Sequence, residues 1–421
     1  MSRTICLEAV DVSMQANYTG SVCKLLGLKA AVPTTVERKF NGEAQVRYVE
    51  RRLSGMTKPG LLSAVTLEGI LVLGTRIQPV RDFILTYEPG SESQVLALAK
   101  KLCSRQDYVL VDANLKRRVS FLQGTYVPRV ARTHSAFRAV KQYLLWQVYS
   151  VNEAWHALLL HPEEKLLVRQ LRVKIRRLRS CLIFFKKLLP EKQVYTWQQT
   201  WRNEAESLAL LRELDVALMT CDKMRLDATD AGGAVVSPVR LQEVLTDMRQ
   251  QAAADFFKNH KLNDATLKTV RFYLWLQSSI GLIRKQQKAG TYAQARLAEW
   301  SENLQQLAVK YPDFRNMEDL HKIRIKVKRY RYVIQTLSVI GLNSKLLRKL
   351  KKLQDLLGFL HDDYINARWG AKVAGRYPKD KILLADLSSF ASWNQGKTES
   401  ILLVLPDLWT DFLQELTENR E

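Results

Sequence analysis

From Thr133 onward the chain carries apolar side chains at three- and four-residue intervals, through long stretches free of Gly and Pro. That spacing belongs to helices packed on one another. The first 130 residues have another texture. β-Branched and aliphatic runs recur as Ala64-Val65-Thr66, Ile70-Leu71-Val72 and Tyr108-Val109-Leu110-Val111, punctuated by nine of the 18 glycines and five of the 11 prolines. The pattern predicts a smaller α+β domain over 1–130 and a helical domain over 131–421, so the fold class is mainly α. Within the helical part, the small and polar segment 228–238 reads as an exposed linker, leaving halves of about 131–227 and 238–421.

Each half contains one conspicuous basic helix. Val168 to Arg179 aligns without gaps on Leu320 to Arg331 at an offset of 152 residues. Arg172, Lys174, Arg177 and Arg179 recur as Arg324, Lys326, Arg329 and Arg331, and the apolar Leu171, Ile175 and Leu178 recur as Ile323, Val327 and Tyr330. At about 100° per residue, Arg169, Arg172, Arg176 and Arg179 share an arc of roughly 80°, as do His321, Arg324, Lys328 and Arg331. The apolar stripe lies beside this arc, so each helix offers a core face and a cationic row. A Lys/Arg run is ordinarily a solvated face. Here neither row has an acid to relieve its self-repulsion, and two copies share one phase, which favours a ligand whose oxygens the guanidinium fork can grip.

Overall charge strengthens that reading without deciding the ligand. Against 42 Asp and Glu stand 65 Lys and Arg, a formal charge of +23. The first 130 residues hold 18 basic and 11 acidic groups, so most of the excess belongs to the helical part. Nucleic acid, an anionic membrane surface and a phosphate polymer all satisfy such a balance. The five cysteines are an odd number at irregular intervals, which predicts neither a disulfide framework nor a zinc site. With no apolar run long enough to span a bilayer, a cytoplasmic chain is expected.

Leu320-His321-Lys322-Ile323-Arg324-Ile325-Lys326-Val327-Lys328-Arg329-Tyr330-Arg331-Tyr332 resembles the signature helix of the CHAD family, the conserved histidine α-helical domain. Leu171-Arg172-Val173 with Arg176-Arg177-Leu178-Arg179 is similar to its first-half counterpart. Arg212-Glu213-Leu214-Asp215-Val216, and Leu353-Gln354-Asp355-Leu356-Leu357-Gly358 followed by His361-Asp362, resemble the two follow-on motifs. The resemblance implies two pseudo-symmetric antiparallel helical bundles around a basic groove that binds inorganic polyphosphate without catalysis, and suggests polyphosphate granules as a place of residence. Carried over, the groove would hold Arg172, Arg176, Arg179, Arg324, Lys328 and Arg331, supported by Lys174, Arg177, Lys322, Lys326 and Arg329. Arg169 stands where the family has its first histidine, so only His321 keeps that residue and two-histidine metal binding is not expected.

Lys345, Lys349 and Lys352 share one face of the next predicted helix and would extend the groove. Glu213 with Asp215, and Asp362 with Asp363, have the chemistry to hold a divalent cation, yet such acids more often cap helices or pair with arginines, so no metal ligand is assigned. Base-stacking aromatics are absent from the rows apart from Tyr330 and Tyr332. No phosphate-binding glycine loop or nucleophile elbow occurs, and neither catalytic residues nor a cofactor are expected. The N-terminal part carries no complete motif: CHAD domains are often joined to CYTH tunnels, whose leading Glu-x-Glu-x-Lys strand is absent here, Val36-Glu37-Arg38-Lys39-Phe40 being only a fragment of it and Leu7-Glu8-Ala9-Val10-Asp11 lacking the Lys and the second Glu. Three readings stay open: polyphosphate binding first, sequence-independent nucleic-acid binding second, and triphosphate hydrolysis by residues 1–130 third.

Overall fold

The computed structural model describes residues 2–10, 18–40, 44–124, 126–230, 238–280, 287–311, 314, 316–337 and 344–418. An α+β N-terminal unit precedes a large helical part. The N-terminal unit contains β1 (Arg3–Ala9), α1 (Tyr18–Leu26), β2 (Lys29–Ala30), β3 (Thr34–Lys39), β4 (Ala44–Ser54), β5 (Leu61–Leu73), β6 (Arg76–Tyr87), α2 (Glu92–Cys103), β7 (Tyr108–Val111) and α3 (Leu115–Leu122). Among the described residues ten α-helices follow: α4 (Ala136–Leu160), α5 (Lys165–Phe184), α6 (Glu191–Ser207), α7 (Ala209–Asp230), α8 (Val239–Asn259), α9 (Leu262–Ile280), α10 (Ala289–Lys310), α11 (Met317–Thr336), α12 (Ser344–Arg376) and α13 (Lys381–Glu418). The sequence boundary near 130 falls between α3 and α4. Residues 231–237, most of the expected linker, lie outside the described residues.

The strands form one antiparallel sheet in the order β2-β4-β5-β6-β1-β7, with β3 paired to β4. Gly74, at φ 58°, lets β5 and β6 turn on two residues and pairs Leu73 with Arg76. The described strands do not close into a tunnel. Helix α3 lies over one face instead, where Leu115 and Val119 join Ala44, Val46, Tyr48, Leu67, Leu71 and Val80 in an aliphatic core. It also brings Arg118, whose guanidinium pairs with Glu8 and meets both oxygens of Asp82 at 2.9 Å. Glu8, the glutamate of Leu7-Glu8-Ala9-Val10-Asp11, is thereby engaged by the chain itself.

The other face of the sheet carries Ile5, Leu7, Phe83, Leu85, Tyr108 and Leu110 into the same hydrophobic cluster as α4 and α9. Hydrogen bonds secure this seam. Asn263 Nδ2 donates to the carbonyls of Cys103 and Gln106, Thr266 Oγ1 donates to that of Tyr108, and Asn152 Nδ2 donates to that of Leu110.

The division of the helical part in packing differs from its division in sequence. Helices α8 and α9 follow the linker but bury Leu241, Val244, Phe256, Val270 and Phe272 in the cluster that also holds α4 and α5. A second core forms only from α10 onward, through Leu304, Leu320, Ile323, Val327, Leu350, Leu357, Trp409 and Phe412. The cause is the seam: α9 must lie on α4 and the sheet to satisfy both. Among the described residues no helix is long and apolar enough to cross a membrane.

Candidate anion-binding cleft

Helices α5 and α11, the two basic copies, pack against each other. Their apolar stripes anchor them in different cores: Leu171, Ile175, Leu178 and Leu182 in the first, Ile323, Val327, Tyr330 and Ile334 in the second. Asn316 starts α11 by accepting from the backbone N–H groups of Glu318 and Asp319, and these two acids sit at the positive end of the helix dipole. With each helix held by its own core, the cationic rows are left to meet between them.

Arg172 and Arg176 of α5 lie in mutual electrostatic reach of Arg324 and Lys328 of α11, and Arg212 of α7 joins them. Arg169 adds to the field at Arg212, and Arg179 stands within the fields of Arg176 and Arg329. Among the described residues no carboxylate forms an ion pair with Arg172, Arg176, Arg212, Arg324 or Lys328. Asp362 of α12 opposes the cluster at Arg324, Lys328 and Arg212, Glu213 opposes it at Arg172 and Asp215 at Arg212, and Asp362 Oδ1 lies 3.5 Å from His361 Nδ1.

These cations are also withdrawn from water. Arg324 is only 8% exposed, and the Nε atoms of Arg172 and Arg324 are buried without a hydrogen-bond partner. Arg172 Nη1 donates to the Ala205 carbonyl. Burial, with Arg324 and Arg176 adding to it, pushes the Lys328 amine down to about 6. Burial likewise pushes Arg172 down to about 9, with Arg176 and Arg212 contributing. Arg324 falls to about 10 through burial, Asp362 opposing and Arg176 reinforcing the shift. A guanidinium remains protonated at neutral pH even so; the depressions express burial first and the crowding of neighbouring cations second.

His321 is exposed and stacks on His361, ring centroids 5.2 Å apart. Burial, His361 and the cations Arg324 and Lys328 lower the His321 imidazole. The pair lies beside Arg324 in a hollow of about 430 Å³ that Arg368 also lines.

The supporting residues separate from this cluster. Lys174 lies in the field of Glu153 on α4 and of Arg177, while the Arg177 Nε is buried without a hydrogen-bond partner. Lys326 and Arg329 line a different hollow, of about 290 Å³, with Lys186, Arg296 and Trp300. Lys322 pairs with Asp319 at 2.9 Å and lies 5.0 Å from the centre of the Tyr311 ring. Arg331 is half-buried. The expected extension along α12 takes another form: Lys345 meets Glu415 at 2.7 Å and Lys349 meets Asp411 at 2.7 Å, so α13 supplies their countercharge, and Lys352 is exposed. Of the acids weighed as cation ligands, Asp215 receives Arg249 Nε at 3.2 Å and Glu213 receives Trp369 Nε1 at 3.2 Å. Both therefore have partners within the chain.

A family model described as CHAD domain matches residues 143–370, more than half of the chain. The crystal structure of the CHAD domain from the plant Ricinus communis is similar at 17% identity and a TM-score of 0.51, covering 69% of this chain and 95% of that one. PptA from Streptomyces chartreusis is similar at 18% identity and a TM-score of 0.51, covering 66% of this chain and 99% of that one. At such identities the structural likeness speaks for the fold. No curated protein matches the chain.

Proposed function

This chain belongs to the CHAD family, and on that premise we propose that its central cleft binds inorganic polyphosphate and performs no chemistry on it. The family is associated with polyphosphate binding. The observation that carries the reading is the meeting of Arg172, Arg176, Arg212, Arg324 and Lys328 from three helices, Arg324 buried and the other four half-buried, without an ion-paired carboxylate among the described residues. Leaving one withdrawn charge unpaired is already costly, and here four guanidinium groups crowd around an amine that burial and this crowding hold down to about 6. A repeating anion restores the balance by giving each cation phosphate oxygens and releasing counterions to the solvent.

Nucleic acid is the competing ligand, and one feature of the cleft weighs against it. Tyr330 and Tyr332, the aromatics interleaved with the second basic row, are only 4% and 6% exposed. Their rings are taken up by packing and are not offered as stacking platforms. The second basic row therefore presents charge without base-stacking surface.

Titration with long-chain polyphosphate at several salt concentrations tests the reading. Affinity is expected to fall linearly on a log–log plot as salt rises, with a slope that counts the phosphates engaged. Binding that ignores salt, or no binding at low salt, overturns it. In competition, polyphosphate is expected to displace single-stranded RNA; the reverse order would assign the cleft to nucleic acid.

A further inference from the structure

Helices α7, α12 and α13 enclose a small chamber of about 50 Å³ beside the cleft, large enough for an ion or a few waters. Asp362, Asp363 and Asn366 line it from α12, and Asn394 from α13. Asn366 and Asn394 are each only 2% exposed, and the Oδ1 of each has no hydrogen-bond partner among the described residues.

The orientation of both amides follows from their neighbours. Asn394 Nδ2 donates to the Phe390 carbonyl at 2.8 Å, so reversing the amide would set two carbonyl oxygens together. Asn366 Nδ2 lies 3.2 Å from Thr220 Oγ1, a hydroxyl that already gives its proton to the Val216 carbonyl at 2.9 Å. That hydroxyl must accept, which again fixes nitrogen toward it and leaves Oδ1 bare. Asp363 accepts from Thr398 Oγ1 at 2.7 Å and keeps further acceptor capacity. Two bare amide oxygens and two carboxylates therefore border one chamber, a cluster of acceptors that carries net negative charge and so suits a cation better than neutral water.

The equivalent hairpin of the other half shows how such a place is neutralised from within. In α7–α8, Asp215 is met 34 residues later by Arg249. In α12–α13, Asp363 is met 35 residues later by the uncharged Thr398. Arg212 and Lys223 also line the chamber; Arg212 lies in the field of Asp362, but among the described residues neither forms an ion pair with the chamber's carboxylates, Arg212 Nη1 being directed to Met219 Sδ at 3.8 Å and Lys223 being exposed.

We propose that this chamber binds one hard divalent cation, Mg²⁺ or Ca²⁺, through the carboxylates of Asp362 and Asp363 and the amide oxygens of Asn366 and Asn394. The donor set is all oxygen, and its two carboxylates match two positive charges, which suits these ions and not softer metals. Among the described residues no three His, Cys, Asp or Glu side chains gather to hold a metal. Half of this site comes from amides instead. Bound there, the cation draws on Asp362, the acid that opposes Arg324 and Lys328, and so leaves those cations freer for an anion in the cleft.

The test is calorimetric titration of the full-length protein with MgCl₂ and, separately, CaCl₂, at ionic strength fixed by NaCl and with no polyphosphate present. The outcome is thus independent of which polyanion the cleft takes. One saturable site is expected for at least one of the two ions. D363N, which keeps an oxygen for Thr398, is expected to weaken it tenfold or more, on the order of what loss of a supporting group costs a metal site. N366D, in which the Thr220 hydroxyl turns its proton from the Val216 carbonyl to the new carboxylate, is expected to tighten it and carries the test alone should D363N fail to fold. No saturable heat with either ion, or wild-type affinity in the folded variants, overturns the proposal. Equal occupancy by NaCl or KCl overturns it as well.

Discussion

Arg118 in the N-terminal unit and Arg324 in the cleft are buried alike, 6% and 8% exposed, but their surroundings treat them in opposite ways. Arg118 holds Glu8 and Asp82 in direct ion pairs, and despite the penalty of burial these carboxylates raise its affinity for the proton. Arg324 faces Arg176 and Lys328 with no ion-paired acid among the described residues, and burial lowers it to about 10. A buried cation whose countercharge comes from its own chain serves the fold. One that feels an acid such as Asp362 only at a distance, without an ion pair, is left open to a countercharge that arrives from outside.

The contrast is broken most directly by emptying the cleft of charge. R172Q, R176Q, R324Q and K328Q combined are expected to weaken polyphosphate binding on the order of a thousandfold while the helical circular dichroism stays unchanged. Undiminished binding would mean that another surface holds the ligand. Next in size is R118M, which leaves Glu8 and Asp82 buried without their partner. It is expected to lower stability by about 3–5 kcal/mol in urea unfolding, as breaking a buried pair does. R324M is the matching experiment in the cleft. It removes a charge that has no ion-paired partner, so stability is expected to hold or to rise by about 1 kcal/mol. If R118M and R324M destabilise equally, the distinction between the two sites fails.

Much of the cationic cluster was legible because it is written twice. The offset of 152 and the shared arc select Arg172, Arg176, Arg324 and Lys328, and the structure brings these four together. Arg212 was harder to single out. Beside Glu213 and Asp215 it reads as part of a local ion pair, and only tertiary packing shows those acids taken by Trp369 and Arg249. The supporting residues separate from the central cluster for a reason visible in helical geometry. Lys174 and Arg177 lie about 140–200° around the helix from Arg172, and Lys326 and Arg329 lie likewise from Arg324. Nothing local reveals the fate of Lys349, whose acid partner Asp411 comes 62 residues later. The packing division at α10 was equally hidden, because it depends on α9 being claimed by the N-terminal sheet.

The finest test of the comparison is protonic. Lys328 is held down to about 6 by burial, Arg324 and Arg176, with Arg212 adding to them and Asp362 opposing. An amine lowered in the folded state binds fewer protons than in the unfolded chain between about pH 6 and its ordinary range. The free protein therefore gains stability from this group as pH rises through that interval. A polyanion demands the reverse, since it favours the ammonium. Binding at pH 7.5 is thus expected to take up close to one proton at Lys328, and affinity to decline as pH climbs from about 6. Calorimetry in two buffers of different ionisation enthalpy reads the uptake directly. K328R, which stays charged throughout, is expected to retain binding and lose the uptake. Equal uptake in wild type and K328R would place the proton on another group, with the stacked His321 and His361 next to be examined by the same measurement.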